Sequence, residues 1–353
     1  MRNIKITKGE SLAIGKLPEG CRLCIEGKKS VLFMTGVCRQ NCFYCTISEK
    51  RWQKNDSCIN EQSLKKDSEL VNEVELSGSR GAGITGGEPF LVMDKTVRYI
   101  KLLKENFGEK FHIHLYTSGI GVGEKQLEKV YSAGLDEIRI HHNCGLVKAA
   151  LKLDWDVGME VPAIPKEYDK IKSLVDFLES AGGKFLNINE LEFSERNIGP
   201  LQKLGFAKVS NSMTAVKGSR ETAEKILEYA EANSKKLNIH FCTASLKMNY
   251  QLRNRLRRRA ENIRRGFETV TKDGFLLKGI IFGKPMREIK KELTANNIPE
   301  KMFSVSEEKN RIETSVSIAK KLAERFRGRF KCAFVEEYPT AEPWDFELTP
   351  LNY

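Results

Sequence analysis

Cys38, Cys42 and Cys45 lie close together in the sequence, with the spacing C-x3-C-x2-C. Thiolates are soft ligands, and three of them on one loop suit a thiophilic metal or an iron–sulfur cluster. A 4Fe–4S cluster bound by three cysteines keeps one iron open for a substrate or cofactor, much as catalytic zinc sites keep an open position. The alternatives are a zinc knuckle or three unrelated core thiols. The tight spacing favours the cluster.

A second pair, Cys21 and Cys24, has the spacing C-x2-C and precedes this loop. Such a pair is half of a zinc site or of an auxiliary iron–sulfur site. The further ligands that a complete site needs have four candidates, which are Cys58, Cys144, Cys242 and His240. The alternative is a pair of half-buried thiols that bind no metal. The pair therefore predicts a second metal site, of zinc or of iron–sulfur type, and leaves the alternative open.

The stretch 247–265 concentrates positive charge, with the single acid Glu261 among eight basic residues. The basic residues are Lys247, Arg253, Arg255, Arg257, Arg258, Arg259, Arg264 and Arg265. Apolar residues recur at helical spacing from Leu252 to Phe267, which predicts a helix with one face packed on the protein. Because the planar fork of arginine binds phosphate well, the other faces predict a docking surface for RNA or for an acidic protein. The alternative is a solvated face or a network of internal salt bridges.

A fold must position these residues, and residues 30–195 alternate β-like runs with amphipathic helical stretches. The predicted strands are 30–36, 81–85, 111–117, 137–141, 158–164 and 185–191. Repeated βα units imply a parallel sheet with right-handed crossovers, as in a partial or complete α/β barrel. The active site of a barrel lies at the C-terminal ends of its strands, and the cysteine loop follows the first of them.

Beyond residue 205 the pattern changes to that of a small α+β domain. It predicts a hairpin over 268–282, helices over 285–296 and 306–327, and a strand over 329–336. We therefore expect an N-terminal extension with the C-x2-C pair over 1–29, a core (β/α)6-type partial barrel over 30–205, and a C-terminal α+β domain over 206–353.

The composition is that of a globular protein, with 40% apolar residues, 30% charged residues and a net charge of +12. The N-terminus has the pattern of neither a signal peptide nor a transit peptide, and no run of about 18 apolar residues could span a membrane. We therefore expect a cytoplasmic protein with no membrane partner. Cysteines in the reducing cytosol bind metal more often than they form disulfides, and nine is an odd number for a disulfide framework.

A second motif, Thr85-Gly86-Gly87-Glu88-Pro89, follows the second predicted strand. Together with the cysteine loop, in which Tyr44 precedes the last cysteine, it resembles the signature of the radical S-adenosylmethionine (SAM) superfamily. The resemblance covers residues 30–195. It implies a 4Fe–4S cluster on Cys38, Cys42 and Cys45, with SAM as a further cofactor.

The resemblance also implies where SAM binds. Gly86 and Gly87 permit a close approach of the backbone to the methionine moiety, and Glu88 offers a carboxylate to the ammonium group. Polar residues at the ends of later strands would contact the rest of the molecule. The SAM-binding set that the resemblance implies is Tyr44, Gly86, Gly87, Glu88, Pro89, Ser118, Arg139, His142, Val161 and Asn189.

The layout is most similar to activating-enzyme-like members, and to archaeal radical SAM proteins related to pyruvate formate-lyase activating enzyme. This resemblance implies that a cluster reduced by ferredoxin or flavodoxin cleaves SAM into methionine and a 5′-deoxyadenosyl radical, which abstracts a hydrogen atom from the substrate. The basic stretch favours RNA as the substrate and the activating-enzyme likeness favours a protein, so we expect a macromolecule. The alternatives are a radical enzyme that acts on a small metabolite and a zinc-containing RNA-binding protein without activity.

Overall fold

The computed structural model describes residues 2–325 and 329–352, which divide into two compact units. Unit 1 takes the chain up to Glu75 and then Ser79–Leu252, while unit 2 takes Leu76–Gly78 and the chain from Arg253. The division falls later than the sequence placed it, because the strand Asn238–Cys242 pairs in parallel with Phe185–Glu190 and so extends the first sheet. Leu12–Ile14, from the expected N-terminal extension, also joins this sheet, antiparallel to Asn238–Cys242.

Unit 1 is built on one eleven-stranded sheet with the order β1-β2-β11-β10-β9-β8-β7-β6-β3-β4-β5. Its strands are β1 Lys5–Ile6, β2 Leu12–Ile14, β3 Lys29–Phe33, β4 Cys58–Ile59, β5 Gln62–Ser63, β6 Gly81–Thr85, β7 His112–Thr117, β8 Glu137–Ile140, β9 Asp156–Ala163, β10 Phe185–Glu190 and β11 Asn238–Cys242. Its helices are α1 Glu19–Ile25, α2 Asp67–Ser77 (which runs into unit 2), α3 Met93–Phe107, α4 Glu124–Ser132, α5 Cys144–Ala150, α6 Tyr168–Ala181, α7 Ile198–Lys203, α8 Ser219–Asn233 and α9 Ala244–Leu246. The strands β3 and β6–β11 run parallel to one another.

The two faces of the parallel strands differ in chemistry, because side chains alternate along a strand. On the outer face, side chains such as Ile84, Leu115 and Ile188 are fully buried in an apolar core with the helices. On the inner face, the alternating residues are polar, as His114 and Asn187 illustrate. Branched apolar side chains ordinarily fill the interior of an α/β barrel. A polar inner face therefore marks the side of the sheet where binding and chemistry take place.

Unit 2 contains a six-stranded antiparallel sheet with the order β14-β15-β13-β16-β17, in which β12 also pairs with β13. Its strands are β12 Thr269–Val270, β13 Leu276–Phe282, β14 Phe303–Ser306, β15 Arg311–Thr314, β16 Lys331–Glu337 and β17 Asp345–Pro350. Its helices are α10 Arg253–Ile263, α11 Met286–Ala295 and α12 Val316–Arg325. The expected fold class, a parallel α/β sheet followed by a small α+β domain, is confirmed. Throughout the described ranges, every helix is too short or too polar to cross a membrane.

The helix expected over 306–327 is wrong in its first half, where β15 and the end of β14 lie instead. The strand β15 is stabilised by charge pairs on one face of the sheet, since Arg311 donates to Glu313 on the same strand and to Glu337 on β16, 2.8 and 2.7 Å away. The ammonium group of Lys278 lies 3.3 Å from Glu313 as well. In the sequence, these spaced charges resemble the pattern of a solvated helix. The sequence does not show that they pair with residues of other strands. Residues 326 and 327 of the expected helix lie outside the described residues.

The basic stretch is helical as predicted, from Lys247 to Ile263, but its geometry is not uniform and its arginines do not all face solvent. A π-helical turn, Lys247–Leu252, precedes α10. Arg255 and Arg259 are buried at 8% and 5% exposure. Arg265 pairs with Glu313, 3.0 Å away. Several of the arginines are therefore buried or paired with groups of the protein itself, as the alternative of internal salt bridges predicted.

Arg259 donates a 2.5 Å hydrogen bond to the backbone carbonyl of Pro339, from a buried position within unit 2. We expect Arg259→Ala to lower the free energy of unfolding by about 2 kcal/mol, because the carbonyl loses a charge-assisted hydrogen bond. Thermal or urea unfolding measures the effect. Arg257 is exposed, so Arg257→Ala is the matched control and should stay within about 0.5 kcal/mol of wild type. Equal effects of the two substitutions would contradict the structural role of Arg259.

Candidate functional site

The cysteine loop begins directly after β3 and is held by hydrogen bonds near its start. The amide of Gly36 donates to the carbonyl of Lys54 over 2.7 Å, and the side chain of Gln53 donates to the carbonyl of Cys38 over 2.8 Å. Within the loop, the amide of Gln40 donates to the Cys38 sulfur, 3.3 Å away. Partial burial raises the pKa of the Cys38 thiol, as it does for Cys42. The thiols are thus placed by the loop at the C-terminal edge of the sheet.

The glycine turn at the end of β6 packs against the chain that leads into Cys38. The amide of Gly87 donates to the Thr35 carbonyl over 2.6 Å, and the amide of Glu88 donates to the Val37 carbonyl over 2.8 Å. A Cβ on Gly87 would overlap the Val37 carbonyl, and Gly86 has a φ of 136°, which disfavours other residues. The two motifs that the sequence singled out are therefore one structural unit.

Glu88 is buried at 2% exposure and its carboxylate is fully used within the protein. It accepts hydrogen bonds from the Thr117 hydroxyl at 2.8 Å and from the amide of Ser118 at 2.8 Å. It also accepts from the Ser118 hydroxyl at 2.5 Å. In the structure this carboxylate ties the end of β7 to the glycine turn, and its predicted role toward the ammonium group of SAM stays a prediction.

A cavity of about 320 Å³ opens at this edge of the sheet and brings both motifs together. Its wall contains the cluster cysteines and most of the SAM-binding set, namely Cys38, Cys42, Cys45, Tyr44, Gly86, Gly87, Ser118, Arg139, Val161 and Asn189. Glu88, Pro89 and His142 stand outside the wall. Further residues that the sequence did not single out as site residues complete it, among them Trp52, His141, Glu160, Glu192 and Lys247.

His141, rather than His142, faces the cavity. Its Nδ1 donates to the carbonyl of Glu160 over 3.0 Å, so its Nε2 accepts from the hydroxyl of Tyr44, 2.6 Å away. Burial lowers the pKa of His141, so the ring is neutral near pH 7. The alternation along β8 places Arg139 and His141 on the same side, and this periodicity is the signal that could have identified His141.

Arg139 and Glu160 form the polar centre of the inner face. Their side chains lie 2.7 Å apart, and Glu160 also accepts from Asn187 at 3.0 Å and from Asn189 at 2.7 Å. Burial opposes ionisation of Glu160, but the charge of Arg139 and the two amide donors lower the pKa of its carboxyl below the ordinary value. Glu160 is therefore ionised near neutral pH and holds three side chains from two strands.

The donor set of this wall fits a 4Fe–4S cluster with SAM beside it. Three thiols of one loop supply soft ligands, and the tight glycine turn leaves room for a ligand where a side chain would fill it. Over residues 2–325 and 329–352, no three His, Cys, Asp or Glu side chains close around a single ion. A cluster needs no such point, because each thiolate binds a different iron.

A parallel α/β sheet with three cysteines and a glycine turn at its C-terminal edge defines the class of SAM-dependent iron–sulfur enzymes. The comparisons agree. The family model described as the radical SAM superfamily matches residues 32–145, which include both motifs. A protein of Methanocaldococcus jannaschii, provisionally named a glycyl-radical enzyme activating enzyme, is 38% identical over 354 residues, covering 95% of this chain and 93% of its own length. The chain belongs to the radical SAM superfamily and is a radical SAM enzyme.

Other similarities are partial. A GTP 3′,8-cyclase of Corynebacterium glutamicum is 30% identical over 114 residues, which are 30% of this chain and 28% of that protein. The crystal structure of Streptococcus suis SuiB bound to S-adenosylmethionine aligns with a TM-score of 0.45 and 13% identity, over 63% of this chain and 52% of that one. Residues 274–351 match a domain of unknown function (DUF8061).

Gly87→Ala tests the contact between the two motifs. The added Cβ overlaps the Val37 carbonyl and displaces the backbone that leads into Cys38, so we expect loss of bound iron and a decrease of about 100-fold in reductive SAM cleavage. Iron analysis and release of 5′-deoxyadenosine measure both. Gly145→Ala is the control, because its nearest neighbour, Asn143 Oδ1, would lie 3.6 Å from the new Cβ. Wild-type iron content and cleavage in Gly87→Ala would contradict the account.

Proposed function

We propose that this enzyme cleaves SAM reductively at a 4Fe–4S cluster on Cys38, Cys42 and Cys45, and that the resulting 5′-deoxyadenosyl radical abstracts a hydrogen atom from a protein. The observation that carries the proposal is the single cavity wall shared by the three thiols and the glycine turn. When bound, the cluster supplies the electron that breaks the sulfonium bond of SAM. An external donor such as ferredoxin or flavodoxin would supply that electron.

The residues of the wall have separable roles in binding SAM. Gly86 and Gly87 let the backbone approach the methionine moiety, and Glu88 positions Ser118 beside it through the hydrogen bonds to its carboxylate. Arg139, Val161 and Asn189 lie on neighbouring strands and would contact the ribose and adenine.

The nature of the substrate is a separate step in the proposal. A protein substrate is supported by the Methanocaldococcus jannaschii relative, which matches nearly the whole chain and carries the name of an activating enzyme. The RNA hypothesis depended on a face of free arginines, and Arg255 and Arg259 are buried. We therefore favour a protein over RNA. The second metal site at Cys21 and Cys24 remains a prediction.

Alanine substitution of each cluster cysteine tests the chemistry. We expect Cys38→Ala, Cys42→Ala and Cys45→Ala each to abolish reductive cleavage of SAM, because the cluster loses a ligand. Anaerobic assay of 5′-deoxyadenosine with dithionite measures the loss. Cys332 is buried in unit 2 at 1% exposure, so Cys332→Ala is the matched control and should keep cleavage. Cleavage at the wild-type rate in all three variants would overturn the proposal.

Deuterium transfer identifies the substrate class. The enzyme is incubated anaerobically with SAM, dithionite and one of three fractions from cells grown in deuterated water: protein, RNA, or molecules smaller than about 1 kDa. Because the radical takes a hydrogen atom from its substrate, we expect deuterated 5′-deoxyadenosine with the protein fraction only, measured by mass spectrometry. Transfer from RNA or from the small-molecule fraction alone would contradict the protein hypothesis and leave the radical chemistry intact.

A further inference from the structure

A second cavity, of about 370 Å³, lies on the inner face of the sheet in unit 1. We call it the inner chamber. Its wall is formed by α1 and by inward residues of β3, β6–β11 and the turn after α9, and includes Cys21, Cys24, His114, His240 and Cys242. The inner chamber and the SAM cavity share wall residues, which are Tyr116, Arg139, Glu160, Asn189 and Lys247. The proposed function assigns no role to the thiols and imidazoles of this chamber.

Three thiols reach the inner chamber from two elements. Cys21 and Cys24 are three residues apart on α1, so they lie on one face of the helix. Cys242 ends β11, and His240 precedes it by two residues and therefore shares its side of the strand. Of the candidate partners that the sequence offered for Cys21 and Cys24, Cys242 and His240 line this chamber, while Cys58 and Cys144 stand outside its wall.

The sulfur atoms have hydrogen-bond donors and charges of both signs near them, including the carboxylates of Glu137 and Glu160 beside Cys21. Arg139 and Asn187 each donate to the Cys21 sulfur over 3.4 Å, and Gln251 donates to the Cys242 sulfur over 3.6 Å. Lys247 and Lys29 are near enough to interact electrostatically with Cys242 and Cys24, respectively. Burial nevertheless outweighs these contacts and raises the pKa of Cys21 and Cys242 to about 12, so both thiols are protonated in the free protein and a metal would bind with release of their protons.

His240 provides a second, independent indication of a ligand. It is buried at 1% exposure, yet neither Nδ1 nor Nε2 has a hydrogen-bond partner. A buried imidazole without partners is costly, and each such group in a folded protein requires an explanation. A neutral imidazole nitrogen is also a common metal ligand.

We propose that Cys21, Cys24, Cys242 and His240 bind a second metal centre of thiolate type, containing zinc or iron, in the inner chamber. Soft sulfur ligands with one imidazole select these metals over magnesium or calcium. The four side chains do not close around one point as they stand, so binding requires side-chain rotation within the chamber. The shared wall places this centre next to the SAM cavity, where it would face a substrate held between the two sites.

The test separates this centre from the SAM cluster. The full chain is purified anaerobically with Cys38, Cys42 and Cys45 all replaced by alanine, so that any metal that remains reports on the inner chamber alone. We expect on the order of one metal centre per chain in this background, counted as zinc or iron by elemental analysis. Adding Cys21→Ala with Cys24→Ala, or adding Cys242→Ala, should remove it. Adding Cys332→Ala, which changes a buried cysteine of unit 2, should not.

His240→Gln keeps a polar side chain of similar size and is expected to lower the metal occupancy of the inner chamber. With His240 intact, X-ray absorption at the metal edge should show both sulfur and nitrogen ligands. Circular dichroism confirms folding of each variant, and cysteine-to-serine replacements serve if an alanine variant does not fold. Elemental analysis measures zinc and iron separately, so the same experiment identifies the metal. A background protein without metal, or one whose metal survives loss of Cys21, Cys24 and Cys242, overturns the proposal. Neither result depends on SAM cleavage, so the proposed function is tested separately.

Discussion

The ion pair between Arg139 and Glu160 is the constraint on which the inner face of this sheet depends. Arg139 is buried and Glu160 is partly buried, and the charge of Arg139 is also balanced by Glu137, which lies 2.5 Å away. Removal of one partner from a buried pair leaves an uncompensated charge, at a typical cost of about 3–5 kcal/mol. The pair also orients the polar groups around it, since Arg139 donates to the Tyr116 hydroxyl and to the Cys21 sulfur.

The same pair forms part of the wall between the SAM cavity and the inner chamber. On the side of the SAM cavity, Glu160 accepts from the amide of Asn189 and holds it in the same wall as the cluster cysteines. On the other side, Arg139 and Asn187 donate to Cys21. A single polar network thus places the residues that bind SAM and the residues assigned here to a second metal centre. This arrangement accounts for the polar inner face, whereas the interior of a closed (β/α)8 barrel is filled by apolar side chains.

The features that the sequence predicts well are local in the chain. The cysteine spacing, the glycine turn and the βα alternation each involve a few neighbouring residues, and the parallel sheet that they implied is present. Features that depend on distant residues were less predictable. The burial of Arg259 depends on Pro339, and the strand at Arg311 depends on Glu337. Glu88 has the residue type expected for SAM, but the direction of its carboxylate depends on Thr117 and Ser118 at the end of another strand. His141 could have been chosen over His142 from the alternation along β8.

Electron paramagnetic resonance of the reduced protein, with and without SAM, tests the central claim most directly. If three cysteines hold a 4Fe–4S cluster with one open iron, the reduced protein shows an iron–sulfur signal that changes when SAM binds. The signal component that responds to SAM should be missing from the Cys45→Ala variant. A reduced wild-type protein without an iron–sulfur signal, or with one that SAM leaves unchanged, would contradict the account.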